Sequence, residues 1–199
     1  DLVAAKRGGA PAFVVAPGGN NSALLANRLL KASADISWAT EFVQASSRGW
    51  RYPPGSLIVR NVAYEKLRPL VDELGLTGEQ LMPADEAALR ANLLRLRAPR
   101  IGLYQPWVAN MDEGWTRWLL EKYEFPYTSL HNEDIRAGQL ADKYDVIVFA
   151  SQSKNGILNG NRGEWVRPEY RGGLGDEGAR AIEEFVRGGG TLVTLGSAS

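Results

Sequence analysis

Residues 145–150, DVIVFA, are apolar after the leading aspartate. A run of this kind is expected of a central strand buried on both faces of a sheet. Further strands are expected on either side of it, at 100–104 (RIGLY), 126–130 (PYTSL) and 191–195 (TLVTL). Helical patterns fill the gaps at 111–123, 133–142 and 176–187. Strands alternating with helices point to an α/β domain, a parallel sheet with helices on both faces, over residues 99–199. The last strand runs directly into Gly196-Ser197-Ala198-Ser199. A doubly wound sheet would continue into another helix there, so this domain is expected to be truncated at its C-terminus.

The first half reads as a smaller α/β unit over residues 1–82. Ala12 to Ala16 is a short buried strand that Pro17-Gly18-Gly19 stops, and Asn20, Asn21 and Ser22 are candidate N-caps for the next helix. Leu24, Leu25 and Leu29 give that helix one apolar face. Strands follow at 36–43 and 56–59, punctuated by Gly49 and by Pro53-Pro54-Gly55, and residues 63–74 look helical. Residues 84–97, ADEAALRANLLRLR, are Ala/Leu/Arg-rich, with Asp85 and Glu86 early and Arg95 and Arg97 late, which suits a helix dipole. Residues 83–98 are therefore expected to form a helical connector between the halves.

Composition narrows the chemistry. The 199 residues are 44% hydrophobic and 23% charged, enough for a real core in one large or two small domains. The 23 acids balance the 23 bases and no long run of one sign occurs, which argues against nucleic acid or a membrane surface as partner. No apolar stretch approaches bilayer length, and the start does not resemble a signal peptide. Without cysteine there is no disulfide, thiolate metal site or cysteine nucleophile. With one histidine, His131, the chain alone cannot build a His-rich zinc site.

Four segments are candidate sites. In QPWVANMDEGWTRWLL, residues 105–120, Asn110 precedes Glu113 by three, a capping-box pattern, and Asp112 and Glu113 occupy the first turn. Met111, Trp115, Trp118, Leu119 and Tyr123 recur at helical spacing, so the tryptophans at 115 and 118 are expected to anchor the helix to the sheet. Two carboxylates at the helix start leave no room for a phosphate there. The turn at 17–22, PGGNNS, lacks the G-x-G-x-x-G and P-loop patterns and reads as a tight turn with a cap. His131 lies in SLHNEDIR near Asp134, a pair that could be drawn as catalytic, though a lone histidine without a nucleophile is more often a loop or capping residue.

The fourth segment, Ser151 to Gly175, is long and glycine-rich. It carries Ser151, Gln152, Ser153, Lys154, Asn155 and Asn159, then Arg162, Glu164, Trp165, Arg167, Glu169, Tyr170 and Arg171. It leaves the carboxyl end of the central strand, where open α/β sheets bind ligands. Both a functional loop and a loop merely folded over the sheet edge remain open.

Several multi-residue stretches carry a family likeness. YQPWVANMDEGWTRWLLEKYEFPYTSLHNEDIRAG, KYDVIVFASQS and PEYRGGLGDEGARAIEEFVRGGGTLVTLGSAS, in that order, resemble the region that follows the peptidase domain in large bacterial zinc carboxypeptidase-like proteins of the carboxypeptidase A type. AFVVAP and YPPGSLIVR look like the segment that joins the two. The resemblance implies an accessory domain of flavodoxin-like, class I glutamine amidotransferase-like fold, in a secreted or periplasmic metallopeptidase. Zinc is implied for the parent protein only; the family's H-x-x-E pair has no counterpart here, so no catalytic or metal role transfers to this chain. The amidotransferase elbow G-x-C-x-G has its nearest equivalent at Gly196-Ser197-Ala198, with Ala198 in the nucleophile's place.

The leading expectation is thus a non-catalytic accessory domain with a structural or substrate-positioning role, partnered by the peptidase domain of the same polypeptide. An alternative is a glycan- or peptide-binding module, its site formed by Trp107, Asn110, Ser151, Gln152 and Asn155 at the carboxyl ends of the strands. A third reading is an independent serine hydrolase that uses Ser151 or Ser153 with His131.

Overall fold

Leu2–Val3 (β1) and Ala12–Val15 (β2) begin a six-stranded sheet in this computed structural model, which describes residues 1–5, 11–89 and 92–199. The chain divides into two units, Asp1–Ala98 and Pro99–Ser199. In the first unit, helix α1 (Asn20–Lys31) leads to β3 (Asp35–Ala39), a hairpin of β4 (Val43–Ala45) and β5 (Trp50–Tyr52), and β6 (Leu57–Arg60). Then come α2 (Tyr64–Glu73), β7 (Gly78–Gln80), α3 (Pro83–Ala88) and β8 (Leu93–Arg95). The sheet order is β1-β7-β2-β6-β3-β8, with β1 parallel to β7 and the other pairs antiparallel. This unit is mixed and carries the wider sheet of the two.

Strand alternation sorts its core into two layers. Phe13, Val15, Ile36, Leu57 and Val59 pack with Leu25, Leu29, Leu67 and Val71 of α1 and α2. Ala12, Val14 and Ile58 face the other way, against Val43, Tyr52, Leu81 and Leu89. Two carboxylates hold the hairpin down. Asp85 accepts from the Ser46 backbone N–H at 2.8 Å and hydroxyl at 2.6 Å, and the fully buried Glu79 accepts from the Ser47 hydroxyl.

Three local expectations fail here for identifiable reasons. The helix expected over 84–97 stops at Ala88, and Leu93–Arg95 is a strand. Pairing with the open edge of β3 overrides the helix propensity of Leu and Arg, with Leu96 N–H to Ile36 O and Thr40 N–H to Asn92 O both at 2.9 Å closing the ladder. Arg90 and Ala91 lie outside the described residues. The 36–43 run divides into β3 and β4 for the same reason, since Thr40 already belongs to the β8 ladder. The α1 caps also differ. Gly19, at φ 58°, is the cap residue, while Asn21 sits inside the helix and donates to Leu74 O at 2.9 Å.

The second unit alternates regularly through β9 (Ile101–Tyr104), α4 (Met111–Lys122), β10 (Tyr127–Leu130), α5 (Asn132–Arg136) and α6 (Leu140–Lys143). It continues through β11 (Val146–Phe149), α7 (Lys154–Asn159), α8 (Gly175–Arg187) and β12 (Thr191–Thr194). The four strands form a wholly parallel sheet in the order β10-β9-β11-β12, flanked by helices. The expected helix over 133–142 is broken into α5 and α6 at Gly138 and Gln139, both with positive φ. One layer of the core joins Tyr104, Leu130, Ile147 and Phe149 to Ile135, Leu140, Ala181 and Phe185. No helix among the described residues is long and apolar enough to cross a membrane.

The central strand differs from its expectation. In β11, Ile147 and Phe149 are buried but Val146 and Val148 are only half-buried, whereas all four residues of β9 are buried. The usual right-handed crossovers put α4 alone on the second face of the sheet, because β9 to β10 runs toward one edge and the later connections toward the other. Nor do the tryptophans anchor α4. Met111, Trp115, Trp118 and Leu119 are 75, 58, 47 and 47% exposed, and Glu113 is the helix's buried residue. The cap at Asn110 fixes the helix phase with Glu113 inward. At about 100° per residue, the 111–115–118 stripe then points outward.

Candidate functional site

The carboxyl end of the parallel sheet gathers its polar residues through hydrogen bonds between strand ends. Gln105 N–H extends the ladder to Leu130 O at 2.8 Å, and the Gln105 carbonyl meets His131 Nδ1 at 2.8 Å. A carbonyl only accepts, so His131 Nδ1 carries the proton. The His131 ring lies flat on Trp107, with centroids 3.7 Å apart and planes within 9°. Asp134 does not reach that ring; its carboxylate accepts from the His131 backbone N–H at 2.8 Å, as an N-terminal helix cap.

Asn110 joins two strand ends. Its side-chain oxygen accepts from the backbone N–H of Asp112 (2.9 Å) and Glu113 (3.2 Å), while its amide donates to Ser151 O at 3.1 Å. Ser151 Oγ is 3.2 Å from Ser197 Oγ and accepts from the Ser197 N–H at 3.3 Å, so it pairs with the segment after β12. Ser153 caps α7 through Gly156 N–H at 3.1 Å. Ala198 lies on the wall of an apolar cavity of about 220 Å³ with Phe149, Ile157, Leu174 and Leu192.

Past α7 the chain makes a closed excursion. Asn161 and Gly172 pair as an isolated antiparallel bridge, and Leu174 N–H returns to Ile157 O at 2.8 Å. Inside the excursion, the Arg171 guanidinium donates to the carbonyls of Val166, at 2.5 Å, and Glu164. The excursion is tied to the sheet by a buried relay. Tyr104 OH donates to Asn132 Oδ1 at 2.8 Å, and Asn132 Nδ2 donates to Gly172 O at 3.1 Å.

This strap brings Tyr170 to 4.8 Å from Trp107, ring to ring, tilted 56°. Trp107, Asn161, Trp165, Val166, Arg167 and Tyr170 then line an open cleft of about 420 Å³. Trp165 is 84% exposed, and Val166, at 8%, closes the floor. The Trp107 Nε1–H is buried with no hydrogen-bond partner among the described residues.

Of the five residues singled out from sequence, the structure puts Trp107 in this cleft and bonds Asn110 to Ser151 beside the strand ends. Gln152 packs toward Gly156, where an added Cβ would lie 2.9 Å from its amide nitrogen. Asn155 is exposed on α7 and accepts from the Asn159 amide at 2.7 Å. Neither lines the cleft. Asn161, Trp165, Arg167 and Tyr170 take those places, and the available signal for them was aromatics and arginine set between glycines in the long segment. Among the described residues no three His, Cys, Asp or Glu side chains come together as a metal donor set.

Burial raises the Tyr104 phenol to about 12, with Arg136 acting against the shift and Glu133 adding to it. The folded state thus prefers the neutral phenol, and the sign follows. The contribution is complete below about pH 10, the unfolded value, and is lost as pH rises through about 12. Tyr104→Phe should cost about 1–3 kcal/mol at neutral pH, because it leaves the Asn132 oxygen buried without its donor. The variant should also lose less stability than the parent between pH 9 and pH 11.5 (roughly the window where the phenol titrates), as urea unfolding at both values will show. In comparisons with protein-family models, curated proteins and solved structures, nothing matches this chain.

Proposed function

We propose that this chain is a non-catalytic accessory region of a zinc carboxypeptidase-like polypeptide, and that it positions substrate for a peptidase domain of the same polypeptide. On this reading the second unit is flavodoxin-like, of the class I glutamine amidotransferase type. The parent protein is periplasmic or extracellular, and its zinc is held outside this chain. The observation that supports the non-catalytic part of the reading is how the strand ends are occupied. Ala198, where the amidotransferase nucleophile would stand, borders an apolar cavity. The groups a serine hydrolase would need are engaged elsewhere: His131 with Trp107 and the Gln105 carbonyl, Ser151 with Ser197, and Ser153 with the α7 N-terminus.

The aromatic cleft favours a second reading, a binding module for a glycan or peptide. Apolar walls with a few directed polar groups are the usual make-up of ligand sites. In either case the chain holds a ligand and does not transform it. The test is an assay of the purified chain on peptides with free C-termini in the presence of added zinc. No turnover above buffer is expected, and turnover abolished by a chelator would contradict the proposal.

A further inference from the structure

We infer that the cleft formed by Trp107, Trp165 and Tyr170 binds a pyranose ring of an oligosaccharide. The inference rests on the ligand-holding reading above and names its ligand class.

The cleft's surfaces match a sugar on two counts. A pyranose presents a face of C–H groups, each slightly positive, and aromatic rings present a negative face to them. Here Trp165 offers such a face to solvent at 84% exposure, and Tyr170, at 39%, adds a second aromatic surface that packs on the His131-stacked Trp107. Around its rim a pyranose presents hydroxyls, which both donate and accept. Of the polar residues lining the cleft, the Asn161 side chain can do both and Arg167 only donates.

The same features fit an extended peptide less well. Peptides commonly add to a sheet edge through main-chain hydrogen bonds or lay a helix into a long apolar groove. The edges of this sheet are β10 and β12, and the cleft lies at the strand ends beyond β9, walled by the strap rather than by a strand. Its volume of about 420 Å³ suits a small ligand segment. Among the described residues Arg167 is its one charged wall residue, so neutral sugars are accommodated without an unpaired acid facing them.

The experiment is isothermal titration of the chain with hexasaccharides of glucose, N-acetylglucosamine and mannose, and in parallel with unstructured hexapeptides. At least one saccharide should bind. Trp165→Ala, at an exposed position, should weaken that binding by about tenfold or more. Trp115→Ala, on the exposed stripe of α4, should leave it unchanged. Circular dichroism of both variants should match the parent, and Tyr170→Ala serves as the second cleft variant if Trp165→Ala does not fold. Peptide binding that Trp165→Ala abolishes, with no saccharide binding, would overturn the sugar assignment and leave the ligand-holding reading standing. Saccharide binding equally sensitive to Trp115→Ala would overturn the site. No binding of either class would remove both.

Discussion

Gly160→Val is expected to detach the strap and to cost the second unit roughly 3 kcal/mol or more, up to the free energy of opening that segment alone. Gly160 has φ 56° and ψ −144°, a region that essentially only glycine occupies. A Cβ there would also fall 1.9 Å from the Gly172 carbonyl oxygen, where the outgoing and returning legs of the strap cross. The obstacle is backbone, so no side-chain rotation relieves it. The bridge between Asn161 and Gly172 should open, and with it the position of Tyr170 against Trp107. Hydrogen exchange at Gly172 and Leu174, whose amides bond Asn161 O at 2.7 Å and Ile157 O at 2.8 Å, reads this directly. Gly114→Ala is the contrasting case. That glycine lies inside α4, an added Cβ meets nothing within 4 Å, and the change should stabilise by about 0.5–1 kcal/mol. Unaltered exchange in Gly160→Val would mean the strap is not held as described.

Leu103→Ala should be among the more damaging single truncations in the parallel sheet, at about 2–5 kcal/mol. Leu103 is 0% exposed in a strand buried along its whole length, flanked in register by Ser129 and Val148. Deleting its side chain leaves a cavity between strands paired on both sides, where backbone collapse is least able to fill it. Val193→Ala, at a position 36% exposed on the edge strand, should cost well under half as much. Denaturant titration of both variants compares them, and equal losses would argue against β9 as the core of this unit.

Much of the architecture can be read locally because the strands are short apolar runs between turn residues. DVIVFA, RIGLY and TLVTL all become parallel strands, and Pro53-Pro54-Gly55 interrupts the chain as such residues should, whereas Gly138 breaks a helix expected to run through it. What is not legible is decided by partners distant in sequence. Residues 93–95 have helical composition, yet an open β3 edge more than 50 residues earlier takes them as a strand. The tryptophans at 115 and 118 have core-like spacing, yet the Asn110 cap turns them outward.

The site divides along the same line. Trp107 is predictable because it follows a strand at the end where α/β sheets bind ligands. Its neighbours are not, because bonds between residues distant along the chain, such as the Asn161–Gly172 bridge and the Asn132 bond to Gly172 O, fold residues 161–171 back over it. Gln152 and Asn155 are nearer in sequence to the strand end, but α7 begins at Lys154 and carries Asn155 away. His131 looked like a potential base, and its ring instead completes the stack under Trp107.

The most direct test of the aromatic cleft as the ligand site follows the indole N–H signals of the 15N-labelled chain during the saccharide titration. Six tryptophans give six such signals, two of them, Trp107 and Trp165, from the cleft. Those two should move together with a common dissociation constant while Trp115 and Trp118, on the exposed stripe of α4, stay fixed. Movement confined to Trp115 and Trp118, or six unmoved signals at saturating saccharide and peptide, would contradict the assignment.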